Sequence, residues 1–239
     1  MYKLENTTKM IQTIIQTPTP LLENSIKYYE TLNFNIISNS NPIIVSDGLA
    51  FIEINPNKFA RLGLKLYSKS WDKIVAKLPK HVPMQHINDG YLISDVSGLW
   101  IYLIEGECPV KLKPETKSTG IPGHFSGISI ESIDMNKSVD LLKSLGYKEE
   151  NGQVDQGWIS LKRKDGSVIS VMKPGMCPHM FTTPSLTYFN GDKNVEIIEK
   201  IKSLDLPITE NITYFNENND VDNIILHDPG HLGAFLFND

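Results

Sequence analysis

The chain has 239 residues, 40% of them hydrophobic, and a formal charge of −5, enough apolar material for one or two domains of about 100 to 200 residues. The acidic balance, relieved only by the short Lys162-Arg163-Lys164 run, excludes the basic footprint of a nucleic-acid partner, and no stretch of about 18 apolar residues is present to span a membrane. Met1 to Thr8 is polar and charged, unlike a secretory leader, so a cytoplasmic protein is expected. Cys108 and Cys177 stand far apart and outside any Cys-x-x-Cys pair, which predicts plain thiols rather than a zinc knuckle or a disulfide framework.

Taken in chain order, an apolar stretch over 11–17 reads as a strand, Pro18 and Pro20 mark a turn, and Leu22, Ile26, Tyr29 and Leu32 share a helix face. Residues 34–38 read as a further strand, and 43–45 and 49–54 flank Asp47-Gly48, a strong hairpin signal. The order recurs from Ala60. Leu62, Leu64 and Leu66 alternate as in a strand, Trp71, Ile74, Val75 and Leu78 fit a helix, and strands over 91–94 and 99–104 surround Ser97-Gly98. A third copy starts at Phe125, with Ile128 and Ile130 alternating, Met135, Val139 and Leu142 on a helix, Gly146 at its C-terminal cap, and strands over 158–161 and 168–172 around Asp165-Gly166. The fourth runs from Thr182 through Ile197, Ile201 and Leu204 to a hairpin at Asp228-Pro229-Gly230 and a strand over 232–237.

Four βαβββ units therefore define an α+β protein. Residues 108–123, with three prolines and no sustained apolar period, mark a boundary, predicting one domain at 1–106 and a second at 122–239. One unit leaves much of its sheet surface unburied, so copy one pairs with two and three with four, each pair forming a curved sheet around a cleft.

The run Leu22-Glu23-Asn24-Ser25-Ile26-Lys27-Tyr28-Tyr29-Glu30-Thr31-Leu32-Asn33-Phe34 resembles the Ser-x-x-Phe-Tyr helix and Leu-Gly-Phe ending of the vicinal-oxygen-chelate superfamily, which includes glyoxalase I, bleomycin-resistance proteins and extradiol dioxygenases. Leu145-Gly146-Tyr147 and the turns at Asp165-Gly166 and Asp228-Pro229-Gly230-His231 are similar to that family's later motifs. The resemblance implies a divalent ion held from the first strand of each unit by His, Gln or Glu and from the last by Glu. Carried onto this chain, the first-strand positions fall near Gln12, at Arg61, at Phe125 and near Ser185, of which Gln12 alone offers a suitable donor. The last-strand positions, counted from each turn glycine, fall at Ile52, Tyr102, Ser170 and Ala234, none a carboxylate; Glu53 is one residue off and would need a bulge to face the cleft. No metal and no cofactor are expected. A looser resemblance, in Gly90-Tyr91 through Gly98, Trp100 to Glu105 and Asp228-Pro229-Gly230-His231-Leu232, is to the streptococcal CppA proteins, which implies a proteinase.

Candidate chemistry is sparse. No two of the six histidines lie i, i+4 on a helical pattern, although His86, Glu53 and Gln12 could converge in the first cleft. Cys177-Pro178-His179 reads as a loop rather than a thiolate with its base, because adjacent side chains diverge, and no Gly-x-Ser-x-Gly elbow is present. With Leu62, Leu64 and Leu66 facing the helices, alternation puts Arg61, Gly63 and Lys65 in the first cleft, joined by Trp100 and Tyr102. Together with Gln12 and Gln16 they form the predicted ligand site, two cations beside two aromatics, suited to an anionic or aromatic small molecule. Phe125, Gly127, Ser129, Val168 and Ser170 predict a filled second cleft. The expected function is small-molecule binding without a metal, in a monomer or a homodimer. The alternatives are a glyoxalase-like lyase or dioxygenase with displaced ligands, or a CppA-like proteinase.

Overall fold

A computed structural model describes residues 12–111 and 115–238; Met1 to Thr8 and Ile11 lie outside the described residues. Each of the four patterns folds as a strand, a helix and a three-stranded meander. The first comprises β1 (Gln12–Pro18), α1 (Leu22–Thr31), β2 (Asn35–Ser38), β3 (Ile43–Ser46) and β4 (Phe51–Asn55). The second comprises β5 (Gly63–Ser68), α2 (Asp72–Val75), β6 (Met84–Ile87), β7 (Gly90–Ser94) and β8 (Trp100–Glu105). Then follow β9 (Phe125–Glu131), α3 (Met135–Ser144), β10 (Lys148–Gln153), β11 (Trp158–Lys162) and β12 (Val168–Met172), and finally β13 (Ser185–Phe189), α4 (Asn194–Lys202), β14 (Ile208–Ile212), β15 (Asn223–His227) and β16 (Gly233–Phe237).

The units pair in two eight-stranded sheets, ordered β2-β3-β4-β1-β5-β8-β7-β6 and β10-β11-β12-β9-β13-β16-β15-β14. In each, the first strands of the two units run antiparallel at the centre (β1 with β5, β9 with β13), and each pairs in parallel with the last strand of its own unit. A central strand is covered on both faces, which is why Ile14, Ile15, Gln16 and Thr17 are all buried. α2 is shorter than its apolar pattern: beyond Val75 the chain continues in tighter turns, Lys77 N–H donating to the Ile74 carbonyl and Leu78 N–H to that of Val75, before Pro79. Gly146 closes α3 as the sequence suggests, with φ +93° and Tyr147 N–H donating to the Leu142 carbonyl. No helix among the described residues is long and apolar enough to cross a membrane.

Side chains from the helix-bearing faces of both sheets, among them Ile15, Leu64, Tyr29, Ile128, Leu142 and Ile198, join one hydrophobic cluster. The two halves are also locked by the loops that close the four units. Each loop carries an aspartate that accepts a backbone N–H of its own turn and reaches the opposite half. Asp47 meets the Tyr188 hydroxyl at 3.5 Å, Asp95 the Ser138 hydroxyl at 2.6 Å, Asp165 the Thr13 hydroxyl at 2.8 Å, and Asp228 both Thr17 (2.7 Å) and Tyr29 (2.8 Å). Approach at the last of these is close enough to require Gly230, where a Cβ would lie 1.9 Å from the Pro18 carbonyl oxygen.

The buried carboxylates make this interlock pH-dependent. Burial raises the Asp228 pKa, and hydrogen bonds from Thr17, Leu232, Tyr29 and Gly230 only partly offset it. Its folded pKa therefore lies above the unfolded value near about 3.9, and stability falls as pH rises from about 4 through the folded pKa. Burial also acts to raise Asp165, but the hydrogen bond and charge of Arg163 outweigh it and the pKa is lowered. Asp165 thus contributes stability that is lost as pH falls below about 4. Urea unfolding across this range should show the wild type losing ground to Asp228→Asn as pH rises, and losing its advantage over Asp165→Asn as pH falls. Gaps independent of pH would contradict both assignments.

Candidate functional site

On the helix-free face of the first sheet, Gln16 pairs across the strands with Glu53, and Lys65 with Tyr102. Glu53 is nearly inaccessible and Lys65 largely so, with side-chain exposures of 2% and 15%, and Lys65 Nζ lies 2.5 Å from Glu53 Oε1. Asn55 Nδ2 donates to the same carboxylate oxygen (3.0 Å) and to Gln16 Oε1 (2.8 Å); Gln16 Nε2 donates to the Arg61 carbonyl (2.7 Å), and Arg61 N–H to the Tyr102 hydroxyl (3.2 Å). The other carboxylate oxygen, Glu53 Oε2, is buried and has no hydrogen-bond partner among the described residues. Burial, and after it the Glu53 charge, raises the Tyr67 pKa. Burial also raises the Cys108 thiol, which packs with Tyr67, Ile14 and Ile44 on this face and stays protonated at neutral pH.

Of the residues singled out from sequence, Gln16, Lys65 and Tyr102 come together, and Trp100 stands at their rim, 36% exposed and opposite Gly63. Arg61 contributes its backbone to this cluster, whereas its guanidinium turns back to the Lys58 and Ala60 carbonyls of its own loop. Gln12 lines a separate cavity between the sheets. His86, on edge strand β6, packs against Tyr91 and does not join Glu53 and Gln12. Asn55 carried no signal in the sequence beyond its place two residues after Glu53.

The last-strand register inferred from the turn glycines needs correction in two units. Ile52 and Ala234 are buried in the helix-side core, and Glu53 reaches the helix-free face without any bulge in β4. In units two and three the left-handed turn residue, Gly98 or Gly166, precedes the strand by two positions. In unit one, Gly48 precedes Phe51 by three, and in unit four the left-handed position is taken by His231 (φ +68°) rather than Gly230. The equivalent last-strand residues are therefore Glu53, Tyr102, Ser170 and Phe235, paired with Gln16, Lys65, Ser129 and Thr187 of the first strands.

These residues do not fit a divalent ion. In the first half the carboxylate is already held by an ammonium whose charge would repel a cation, and in the second the four positions are two serines, a threonine and a phenylalanine. Among the described residues no three His, Cys, Asp or Glu side chains are grouped to hold a metal. The helix-free face of the second sheet is filled from above by the loop over 173–184: His179 packs on Phe235 and Phe237, Phe181 on Phe235, and Cys177 Sγ lies 3.5 Å from Met172 Sδ. Ser129 and Thr187 hydrogen-bond each other at 2.7 Å. Phe125, Gly127 and Val168, expected in this cleft, line the cavity between the sheets instead.

No protein-family model matches the sequence, and no curated protein matches it. Solved structures do. Homoprotocatechuate 2,3-dioxygenase from Brevibacterium fuscum, in complex with 3,4-dihydroxyphenylacetate, is 12% identical, with 96% of this chain and 82% of that chain covered at a TM-score of 0.58. The enzyme of the same name from Arthrobacter globiformis is 12% identical, with 95% and 80% covered and a TM-score of 0.54. A catechol 2,3-dioxygenase is 11% identical, with 93% and 85% covered and a TM-score of 0.51. Such identities speak for the fold alone. Two eight-stranded sheets, each built from two βαβββ units, and this likeness along almost the whole chain identify the fold as two vicinal-oxygen-chelate-like domains in tandem, an architecture similar to that of these dioxygenases.

Proposed function

We propose that the chain binds a small planar molecule on the helix-free face of the first sheet, without a metal, through Gln16, Asn55, Glu53, Lys65, Trp100 and Tyr102. The observation that carries this reading is the buried Lys65–Glu53 pair, with one carboxylate oxygen left without a partner. A buried acceptor without a donor is costly, and a bound hydroxyl or amide N–H that reached it would relieve that cost. Lys65 supplies a donor to a carbonyl or hydroxyl oxygen, and Trp100 and Tyr102 supply flat apolar surface. Because Glu53 compensates Lys65 and the Arg61 guanidinium is engaged on its own loop, the site favours a neutral aromatic molecule over an anion.

Benzamide, which carries both a donor and an acceptor on a ring, and benzoate, its anionic counterpart, test this directly by calorimetric titration. Benzamide should bind more tightly, Trp100→Ala should weaken it about tenfold, and Arg61→Ala should change it by no more than about twofold. Preferential binding of benzoate that is lost in Arg61→Ala would replace this site with an anion site. The second reading, a dioxygenase or glyoxalase-like lyase, has the fold-level likeness in its favour. One Zn, Ni, Fe or Mn per purified chain, lost in Glu53→Gln, would establish that alternative.

A further inference from the structure

We infer that the cavity between the two sheets is a second small-molecule site, taking a single-ring or similarly compact apolar molecule that carries one hydrogen-bonding group. It has a volume of about 200 Å³, is partly open to solvent and is separate from the Lys65–Glu53 cluster. Its walls come from both halves: Ile15, Leu49 and Leu64 from the first, Phe125, Val168 and Ile169 from the second. Among its lining residues Ala50 and Gly166 present almost no side chain, and a Cβ at Gly166 would meet nothing within 4 Å. Close packing leaves few voids larger than a water molecule, and an apolar one stays dry. An apolar cavity of about 150 Å³ holds a benzene ring, so this one accommodates a ring with a short substituent.

One end of the cavity is polar and rigidly built. Thr13, Tyr147, Asp165 and Ser167 line it, and Arg163, with only 3% of its side chain exposed, stands behind them. Its guanidinium bonds Asp165 Oδ1 and Oδ2 (3.2 and 2.6 Å) and Thr13 Oγ1, and lies 4.8 Å from the Tyr147 ring centroid. Ser167 Oγ bonds both Asp165 Oδ1 (2.7 Å) and Tyr147 Oη (3.2 Å). Asp165 neutralises Arg163, yet Arg163 Nη1 is buried with no partner among the described residues. The polar end therefore presents the hydroxyls of Thr13, Ser167 and Tyr147 with no charge to spare, which selects a neutral hydrogen-bonding group such as a hydroxyl and disfavours a carboxylate.

Methyl NMR of the full chain, labelled at Ile, Leu and Val and titrated separately with benzyl alcohol and with toluene, tests the site. Both probes should shift the methyls of Ile15, Leu49, Leu64, Val168 and Ile169, and benzyl alcohol should bind about 3- to 10-fold more tightly for its hydroxyl. Val168→Phe, which fills the space, should abolish both titrations, and Thr13→Val should erase the preference for the alcohol. Should Val168→Phe lose the native methyl spectrum, Ala50→Leu serves the same purpose from the opposite wall. No shift with either probe, shifts confined to the Trp100 and Tyr102 face, or binding that survives a folded filling variant would each overturn the proposal. Equal affinity for the two probes would overturn the polar recognition.

Discussion

Lys65→Met is expected to cost about 3 to 5 kcal/mol of folding stability, measured by urea denaturation, because it removes the ammonium from a buried carboxylate and leaves that charge uncompensated. Asn55 Nδ2 would be the remaining donor to Glu53 Oε1. The loss should come from stranding the partner and not from the intrinsic worth of the pair, since a buried pair gains by Coulomb attraction roughly what it forfeits in hydration. The double variant Lys65→Met with Glu53→Gln should accordingly recover most of the stability, as the uncharged amide introduced by Glu53→Gln still offers an oxygen to Asn55. A Lys65→Met protein within about 1 kcal/mol of wild type, or a double variant no more stable than the single, would mean that the carboxylate is solvated in the fold and that the pair is not what organises this face.

Asp228→Ala is expected to be of similar size, about 3 to 5 kcal/mol, by a different route. The carboxylate accepts four hydrogen bonds, from Gly230 N–H (2.8 Å) and Leu232 N–H (2.7 Å) within its own turn and from the Thr17 and Tyr29 hydroxyls of the other half. Alanine leaves all four donors buried without that acceptor. Because two of them belong to the first half, the variant should loosen the contact between halves as well as the turn, and amide exchange should quicken around Thr17 and Tyr29 along with the turn itself. A cost below about 1 kcal/mol, or faster exchange confined to the turn, would show that the halves are held by the shared hydrophobic cluster alone.

The strands that face a core were legible because burial on one side imposes alternation. Leu64 and Leu66 against Lys65, and Ile128 and Ile130 against Ser129, place each side chain on the face where the structure has it. Edge strands β6, β10 and β14 were not legible. The side chains of β6 and β10 are mostly exposed, as over Lys148–Gln153, β14 has only Ile208 and Ile212 as apolar positions, and backbone pairing with one neighbour holds all three, so the residue pattern marks them weakly. The Arg61 guanidinium was misplaced for a related reason. It precedes β5, where strand alternation has not begun, and free loop carbonyls capture it.

By itself the sequence determined the fourfold recurrence of strand, helix and closing hairpin, the pairing of the copies along the chain and the α+β class, because hydrophobic periodicity and turn residues are local properties written in adjacent positions. Tertiary structure decided the rest. Whether Glu53 faces the core or the helix-free side of the sheet turns on one extra residue between Gly48 and β4, and a slip of one position exchanges the two faces of a strand. The contacts of Asp228 with Thr17 and Tyr29, and the cavity that joins Thr13 to Asp165, link residues about 150 to 210 positions apart. No local pattern encodes such contacts, because they arise only when the helix-bearing faces of two independently patterned sheets are buried against each other.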